Sequence, residues 1–587
     1  MRFRHLSVAL AGAVLAAPVT AQTALDAFRG NIAAIHARDR AAYLSHYLQS
    51  PDLARVGPGG VQHGYADFAR GAGSAWPDTL VATHFEVVSI TPDVAYGAYR
   101  YRVVTDGASD RGVSERVLVR TAEGWKVAVT TAFSTPGAAP PPMALVGATL
   151  IDGLGGPPVP DAVVVMRNGR IACAGPRASC LVGDDAHVVD ARGRWVIPGL
   201  VDAHVHFSQS GWVDARPDAL DLRAQHPYER VSAGLQARPE RFYRSYLCSG
   251  VTSVFDVGGY PWSWDLQGRT ARSTTAPHVR AAGPLLSTVD FWLGLPGQTQ
   301  FVHMKDEATV RATVRSHAAW GAAAIKVWYI MPPQPPDTAA MFRLLMAAGD
   351  EARQAGLPLI VHATGLAGAK DAVRAGAHLL VHSVVADAVD DEFLELARAA
   401  GTYYTPTLTV FDGYRQVAER HVERETQPYS CVDPETLANV MATDTVALDK
   451  RAAPERLAQG RERAAAQYQL ALQNLARVHA AGIPVVMGTD AGNPLTLHGA
   501  SVFMELEAME AAGLSPMDVL VAATRVGARA MGLDSVGTVT PGAVADLVVL
   551  DADPLAGMRN VRRIALVVRG GEIYARRELE YGGDGGR

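Results

Sequence analysis

The sequence predicts an α/β protein: a closed (β/α)8 (TIM) barrel flanked by a split β-sandwich and preceded by a small α+β domain. Three observations carry that prediction. From about Val201 to Leu533, short apolar runs alternate with helical stretches, and eight such units in about 330 residues is the count of a closed parallel barrel. Turn-punctuated β segments lie on both sides of this region, ALVGATLIDG and AVVVMRNGRIACAG before it and ADLVVLDADP and IALVVRGGEIYA after it. A Pro/Ala/Gly stretch, TPGAAPPPM, separates all of this from an N-terminal part with its own pattern. With 48% hydrophobic residues the 587-residue chain has ample material for large cores, which excludes wholesale disorder. A net charge of −5 without basic runs argues against nucleic acid as the main partner.

Taken in order, residues 1–21 have the form of an export signal: Arg2 and Arg4, an apolar run from Leu6 to Ala17, and small residues before Ala21. That run is too short to span a bilayer, and no later stretch is long enough. Cleavage near Ala21 removes two arginines and no acid, so the charge of −5 becomes −7 on a chain expected in the periplasm or outside the cell. Residues 22–135 begin with a helical pattern and continue as THFEVVSI, VAYGAYRYRVVT, SERVLVRT and GWKVAVTTAFS, an α+β order. A linker at 136–143 leads to the first sandwich part (144–199), the barrel (200–535) and the second sandwich part (536–587). Within the barrel, 413–479 is too long for an ordinary crossover and reads as a charged helical insertion near the barrel mouth. Of the four cysteines, Cys173 and Cys180 are spaced to close a short loop in an oxidising compartment; free buried thiols are the equal alternative.

Reactive groups of a parallel barrel belong at the C-terminal ends of its strands. His204 and His206 end the first strand, and period-two alternation puts both imidazoles on one face, suited to one metal ion. Lys326 sits inside the apolar strand AAIKVW, where an unpaired ammonium is costly. His362 ends strand five, His382 strand six and Asp490 strand eight. Each residue has a bland reading, as a hydrogen-bonded core histidine, a snorkelling lysine or a helix cap, but all six would have to fall on one rim by coincidence.

PGLVDAHVHF, AAIKVW, LIVHATG, LAGAK, DAVRAGAHLLVHS, GTDAG and GTVTPGAVADLVVLDADPL resemble the metal-dependent amidohydrolase superfamily, most of all its prolidase- and imidazolonepropionase-like branch. The N-terminal order, ending in GWKVAVTTAFS, resembles the small cone of nuclear transport factor and SnoaL-like proteins. The first resemblance implies two divalent metal ions. His204, His206 and Asp490 would hold one, His362 and His382 the other, and an N6-carboxylated Lys326 would bridge both.

Imidazole and carboxylate donors favour Zn2+ or a similar ion. Two such ions acidify a shared water, and Asp490 is placed to take its proton and pass it to the leaving nitrogen. His498, Tyr329 and Tyr404, with Tyr403, are weaker candidates for substrate contacts, and Asp546 reads as structural. Thr364 stands where several branches carry a second histidine.

The expected function is exported hydrolysis of amide bonds in a small-molecule substrate such as a dipeptide or N-acyl amino acid. Lactone or phosphotriester hydrolysis on the same centre is the alternative, and a non-catalytic binding role through the N-terminal cone is a reading from another class. No nucleic acid and no membrane span are expected; self-association into a homo-oligomer is left open.

Overall fold

The computed structural model describes residues 23–581 apart from 58–59, 74–75, 78, 106–107, 135–140, 215–220, 291–298, 332–336, 424–427 and 446–453. The expected export signal and most of the expected linker therefore lie outside the described residues. The chain divides into two units, Met1–Ala138 and Ala139–Arg587.

The first unit is one sheet with helices packed on it. Its strands are β1 (Ala54–Gly57), β2 (Gly60–His63), β3 (Thr79–Thr91), β4 (Val94–Thr105), β5 (Ala108–Thr121) and β6 (Gly124–Ser134), ordered β2-β1-β6-β5-β4-β3. Neighbours are antiparallel except β1 and β6. Helix Ala24–His36 starts at a capping box between Thr23 and Asp26 and buries Phe28 and Ile32 against Tyr99 and Val127 of the sheet. The helix-then-strands order read from the sequence thus holds, and the four quoted strand runs fall on β3 to β6.

In the second unit β7 (Met143–Leu150), β8 (Val159–Arg167), β9 (Arg170–Pro176), β10 (His187–Asp190) and β11 (Trp195–Pro198) lead into the ring strands. These are β12 (Leu200–Val205), β13 (Val251–Asp256), β14 (His278–Ala281), β17 (Ile325–Trp328), β18 (Leu359–His362), β19 (Ala377–Val381) and β20 (Tyr403–Thr405), with β15 (Leu285–Ser287) and β16 (Phe301–His303) between β14 and β17. The chain closes with β21 (Leu547–Leu550), β22 (Ile564–Arg569) and β23 (Glu572–Ala575).

Parallel pairing runs β12-β13-β14 and β17-β18-β19-β20. Ala323 N donates to Ala281 O at 2.8 Å, joining the two runs. The segment 484–491 completes the circle, bridging Tyr404 to Val485 on one side and Val205 to Ala491 on the other, both parallel. Hydrogen bonds and bridges thus lead from β12 through these strands and the segment 484–491 back to β12. Val201, Ala203, Phe255, Ile360, Leu379 and Val486 are buried in one apolar cluster together with Ala528 and Met531. The third expected strand, HVRAAGPLL, is broken: β14 stays in the ring, and β15 leaves at Gly283 to pair with β16 and β17.

The two β segments flanking the ring form one hydrogen-bonded sheet, β23-β22-β21-β11-β7-β8-β9 with β10 on β7, joined through the antiparallel pair β11–β21. The flanking segments, expected to pair as a small split sandwich, do pair with each other: Trp195 stands opposite Leu550 across β11 and β21. Asp546 is structural, as expected. It accepts from Gly570 N at 2.7 Å and His278 Nε2 at 2.9 Å, tying the sheet to the ring.

The insertion is helical, but its expected limits shift. Helix Thr409–Glu419 begins it, and helix Pro454–Ala480 runs unbroken through the expected boundary at 479. The last turns of that helix belong to the ring, where Asn474 donates to Val384 O and Asp387 O and accepts from Val389 N. Both cysteine pairs are bonded. Cys173–Cys180 closes the short loop, and Cys248–Cys431, unforeseen across a separation of 183 residues, ties the ring helix Glu240–Cys248 to the insertion.

Candidate metal centre

Asp202, His204 and His206 share one face of β12 and its extension, and all three are buried. His206 donates from Nδ1 to the Gly258 carbonyl at 2.6 Å, which leaves the Nε2 lone pair facing the cavity. That Nε2 lies 3.0 Å from Asp490 Oδ1, and His204 Nε2 lies 3.2 Å from the same oxygen. The donor atoms of His204, His206 and Asp490 fall within 4.8 Å of one another. The His382 ring lies between two others, tilted against His204 at 4.8 Å and edge-on to His362 at 4.4 Å between centroids. Its Nδ1 sits 2.8 Å from Thr407 Oγ1. Lys326 lines the same cavity, 2% exposed and without a hydrogen-bond or ion-pair partner among the described residues. The six residues read from the sequence are thus brought to one end of the ring.

The backbone there is unusual. Asp490 and His382 have φ of 65° and 73°, and Thr407 has 45°, a region that side chains rarely adopt. Such conformations cost about 1–3 kcal/mol each and persist where the surroundings over-determine them. Part of GTDAG is explained by crowding: a Cβ on Gly488 would meet His204 Cβ at 2.8 Å, so only glycine lets the eighth segment pass β12.

Burial sets the protonation states. It pulls His204 down to about 3 and His382 well below the ordinary imidazole value, so both rings are neutral. Burial alone would raise Asp490, but the facing imidazoles of His204, His206 and His382 hold its carboxylate well below the usual range. Burial pushes the Lys326 amine down to about 7. Neutral imidazoles and an ionised carboxylate are the states that bind a divalent cation. Neither ring nitrogen of His204 makes a hydrogen bond among the described residues, although the ring is fully buried. An orphaned buried imidazole beside a carboxylate and an unpaired buried amine fits a divalent metal site.

Several residues that hold this arrangement were not read from the sequence. Asp202 accepts from Thr489 N at 2.9 Å and Thr489 Oγ1 at 2.6 Å, pinning the segment before Asp490 to β12. Its signal was in plain view, an acid two residues before HxH on the same strand face. Asp256 accepts from the amides of Phe207 and Gly258, at 3.1 Å each. Asn493 donates to Asp490 Oδ1 at 2.6 Å. Glu505 accepts from the amides of Leu408 and Thr409 at 2.8 Å each and so caps helix Thr409–Glu419 from another helix.

Burial raises the Glu505 carboxyl from 4.5 to about 7. The folded state therefore keeps this proton longer than the unfolded chain, and stability is lost as pH rises from 4.5 through 7. In metal-free protein Glu505→Gln is expected to flatten the fall in unfolding free energy between those pH values, by about 3 kcal/mol in total. Denaturant titrations at the two ends of the window measure it, and an unchanged slope would rule out Glu505 as its source.

The weaker substrate-contact candidates are corrected by the structure. His498 is buried, stacked 3.9 Å from Phe242, with Nδ1 on Tyr246 Oη at 2.7 Å and Nε2 on Gln209 O at 2.9 Å, so it braces the loop carrying Gln209. Tyr329 donates to Asp371 at 3.2 Å, and the Tyr404 hydroxyl accepts from Val384 N at 3.0 Å. Neither tyrosine lines the cavity, nor does His498, because packing directs all three into the protein. Thr364 does line it.

The cavity above the six residues is about 510 Å3. Leu285, Phe301 and Trp328 line it, as do Phe411, Tyr414 and Arg461 from the two insertion helices. Among the described residues no helix is long and apolar enough to cross a membrane.

The second unit's fold is shared with solved structures of low sequence identity. An Xaa-Pro dipeptidase with bound methionine is 23% identical with a TM-score of 0.56, the match covering 74% of this chain and 100% of that one. The Aspergillus (A. niger) ochratoxinase is 22% identical with a TM-score of 0.56, over 76% of this chain and 98% of that one. Among curated proteins, the imidazolonepropionase of Caulobacter vibrioides strain NA1000 is 32% identical over 137 residues, 20% of this chain and 33% of that protein. That of Bradyrhizobium sp. strain BTAi1 is 47% identical over 76 residues, 13% of this chain and 18% of that protein. The matches thus span a third or less of these curated relatives' length. Residues 195–574, well over half of the sequence, match the amidohydrolase family, and the chain belongs to that family.

Proposed function

We propose that this chain is a binuclear metal-dependent hydrolase of amide bonds in small molecules, such as dipeptides or N-acyl amino acids, built on a (β/α)8 barrel. Lys326 is the observation that carries the reading. A buried amine with no partner is unfavourable as an ammonium, and burial keeps it near half-neutral at pH 7. A neutral amine adds carbon dioxide at its lone pair and releases one proton, giving a carbamate. That conversion replaces an unpaired cation with an anionic ligand between two groups of imidazoles. His204, His206 and Asp490 would then hold one ion, His362 and His382 the other, and carboxylated Lys326 both; Zn2+ suits this donor set.

When bound, two divalent ions supply Lewis acidity and an acidified water. The chain's own residues do the rest. Asp490, ionised and steadied by Asn493, accepts a proton at Oδ2, the oxygen not engaged by Asn493 and His206, and returns it to the leaving nitrogen. Gly258 fixes the His206 tautomer through its carbonyl. Phe301, Trp328 and Phe411 take an apolar part of the substrate and exclude water around it. The names of the relatives, an Xaa-Pro dipeptidase among them, support a carbon–nitrogen bond as the target.

We also read residues 1–21 as an export signal, which the two disulfides support through their need for an oxidising compartment. The N-terminal unit we read as a cone of the nuclear-transport-factor type, on its strand order.

Elemental analysis of purified protein is expected to give about two divalent ions per chain. Screening N-acyl amino acids, lactones and organophosphates on that preparation should show amide turnover that is lost on chelation. Turnover of lactones or phosphotriesters alone would replace the amide reading, and undiminished turnover in metal-free protein would end the metal one.

A further inference from the structure

Helices Thr409–Glu419 and Pro454–Ala480 contribute to the lining of the same cavity, two arginines among their lining residues. Arg415 is committed to the protein. Its Nε donates to Asp412 at 2.9 Å, Nη1 to Glu419 at 2.8 Å, and Nη2 to Asp412 and Glu423 at 2.5 Å each. Arg461 is not. Its one carboxylate neighbour among the described residues is Glu419, 3.9 Å from Nε, beyond hydrogen-bonding range and already bonded by Arg415. The two terminal nitrogens of Arg461 have no acceptor among the described residues.

The helix face around Arg461 leaves space. Gly460 and Ala464, one residue before and three after, line the cavity with almost no side chain, and Gln467 continues the same stripe. A guanidinium whose outer edge faces an open cavity is the complement of a carboxylate, which it grips through two parallel N–H···O bonds. The Arg461 side chain lines the cavity and is 53% exposed, so a bound ligand would displace water from it and strengthen the pair.

We propose that Arg461 selects substrates that carry a free carboxylate on the leaving-amine part, so that N-acyl amino acids with an apolar acyl group are favoured over neutral amides. Phe301 and Trp328, which line the same cavity, would receive the apolar part. The proposal rests on the reading of this cavity as the site of amide hydrolysis. The bland alternative makes Arg461 a loose counter-ion of Glu419.

Binding and turnover of N-benzoyl-leucine and its C-terminal carboxamide, measured on the metal-loaded full chain by calorimetry and product release, separate the two. The acid is expected to bind about 10–100-fold more tightly, the value of a charge-assisted pair, and to be preferred in KM more than in kcat. Arg461→Ala should bring the ratio of the two affinities to about one, and Arg461→Lys should keep part of the preference. Equal binding of acid and carboxamide by the native chain, or an acid preference untouched in Arg461→Ala, would overturn the assignment. A binding preference that depends on Arg461 with no turnover of either compound would support Arg461 and count against amide hydrolysis instead.

Discussion

Lys326→Met is expected to abolish hydrolysis, by at least about 10^3-fold in kcat/KM, while leaving the metal-free protein as stable as the native one or more so. The two effects have one cause. The native amine is buried without a partner, and its value falls from 10.5 to about 7. The folded state thus holds this proton less tightly than the unfolded chain. Metal-free stability should rise as pH goes from about 7 toward 10.5 and be penalised below 7. Methionine matches the length of the aliphatic stem and removes the penalty, so the unfolding midpoint at pH 6 should stay or increase. It cannot carry carbon dioxide, so elemental analysis should find fewer than two ions per chain, and added bicarbonate should restore nothing. A Lys326→Met protein that keeps both its metal and its turnover would remove the carbamate from the mechanism. One that fails to fold would show that the amine has a structural partner.

Asp490→Asn is expected to lower kcat by about 10^2–10^4-fold, the range for loss of a positioned general base, with a small change in KM. The change is nearly isosteric, but it places an amide where His204 and His206 direct their Nε2 atoms, 3.2 and 3.0 Å from Oδ1. Oδ1 also receives Asn493 at 2.6 Å, so the new amide oxygen will occupy that position and leave its NH2 where a proton has to be accepted. The facing imidazoles hold the native carboxylate well below its usual range, so it is ionised throughout the working pH range. Loss of the base should therefore depress the whole pH profile and leave its shape unmoved near neutrality. Asp490→Glu lengthens the side chain from a backbone fixed at φ 65° and should recover little. A variant Asp490→Asn with kcat within a few-fold of native would assign proton transfer to another group.

Much of this centre was written along the chain because period two and strand ends are local properties. HxH alternation places His204 and His206 on one face; an apolar strand with a single lysine marks Lys326; His362 and His382 stand at or just past the ends of their strands. The residues that hold them were less visible. Glu505 is joined to Leu408 and Thr409 across about a hundred positions, and Gly258 contributes only a backbone carbonyl to His206, which no side-chain pattern records. Tyr329, Tyr404 and His498 went the other way: alternation gives the parity of a side chain without naming the face turned to the cavity, and a loop histidine is buried only once Phe242 and Tyr246 pack over it.

Most ring strands, the six polar residues among them and the break after the N-terminal part were legible along the chain, since each depends on neighbours within a few residues. The tertiary structure alone decided the rest. It joined the flanking β segments into one sheet and bonded Cys248 to Cys431. It carried the insertion helices over the ring, so that Arg461 meets the cavity with its outer edge unpaired. Those features depend on which distant surfaces bury each other, and burial of one surface by another is a property of the closed fold, which local periodicity does not encode.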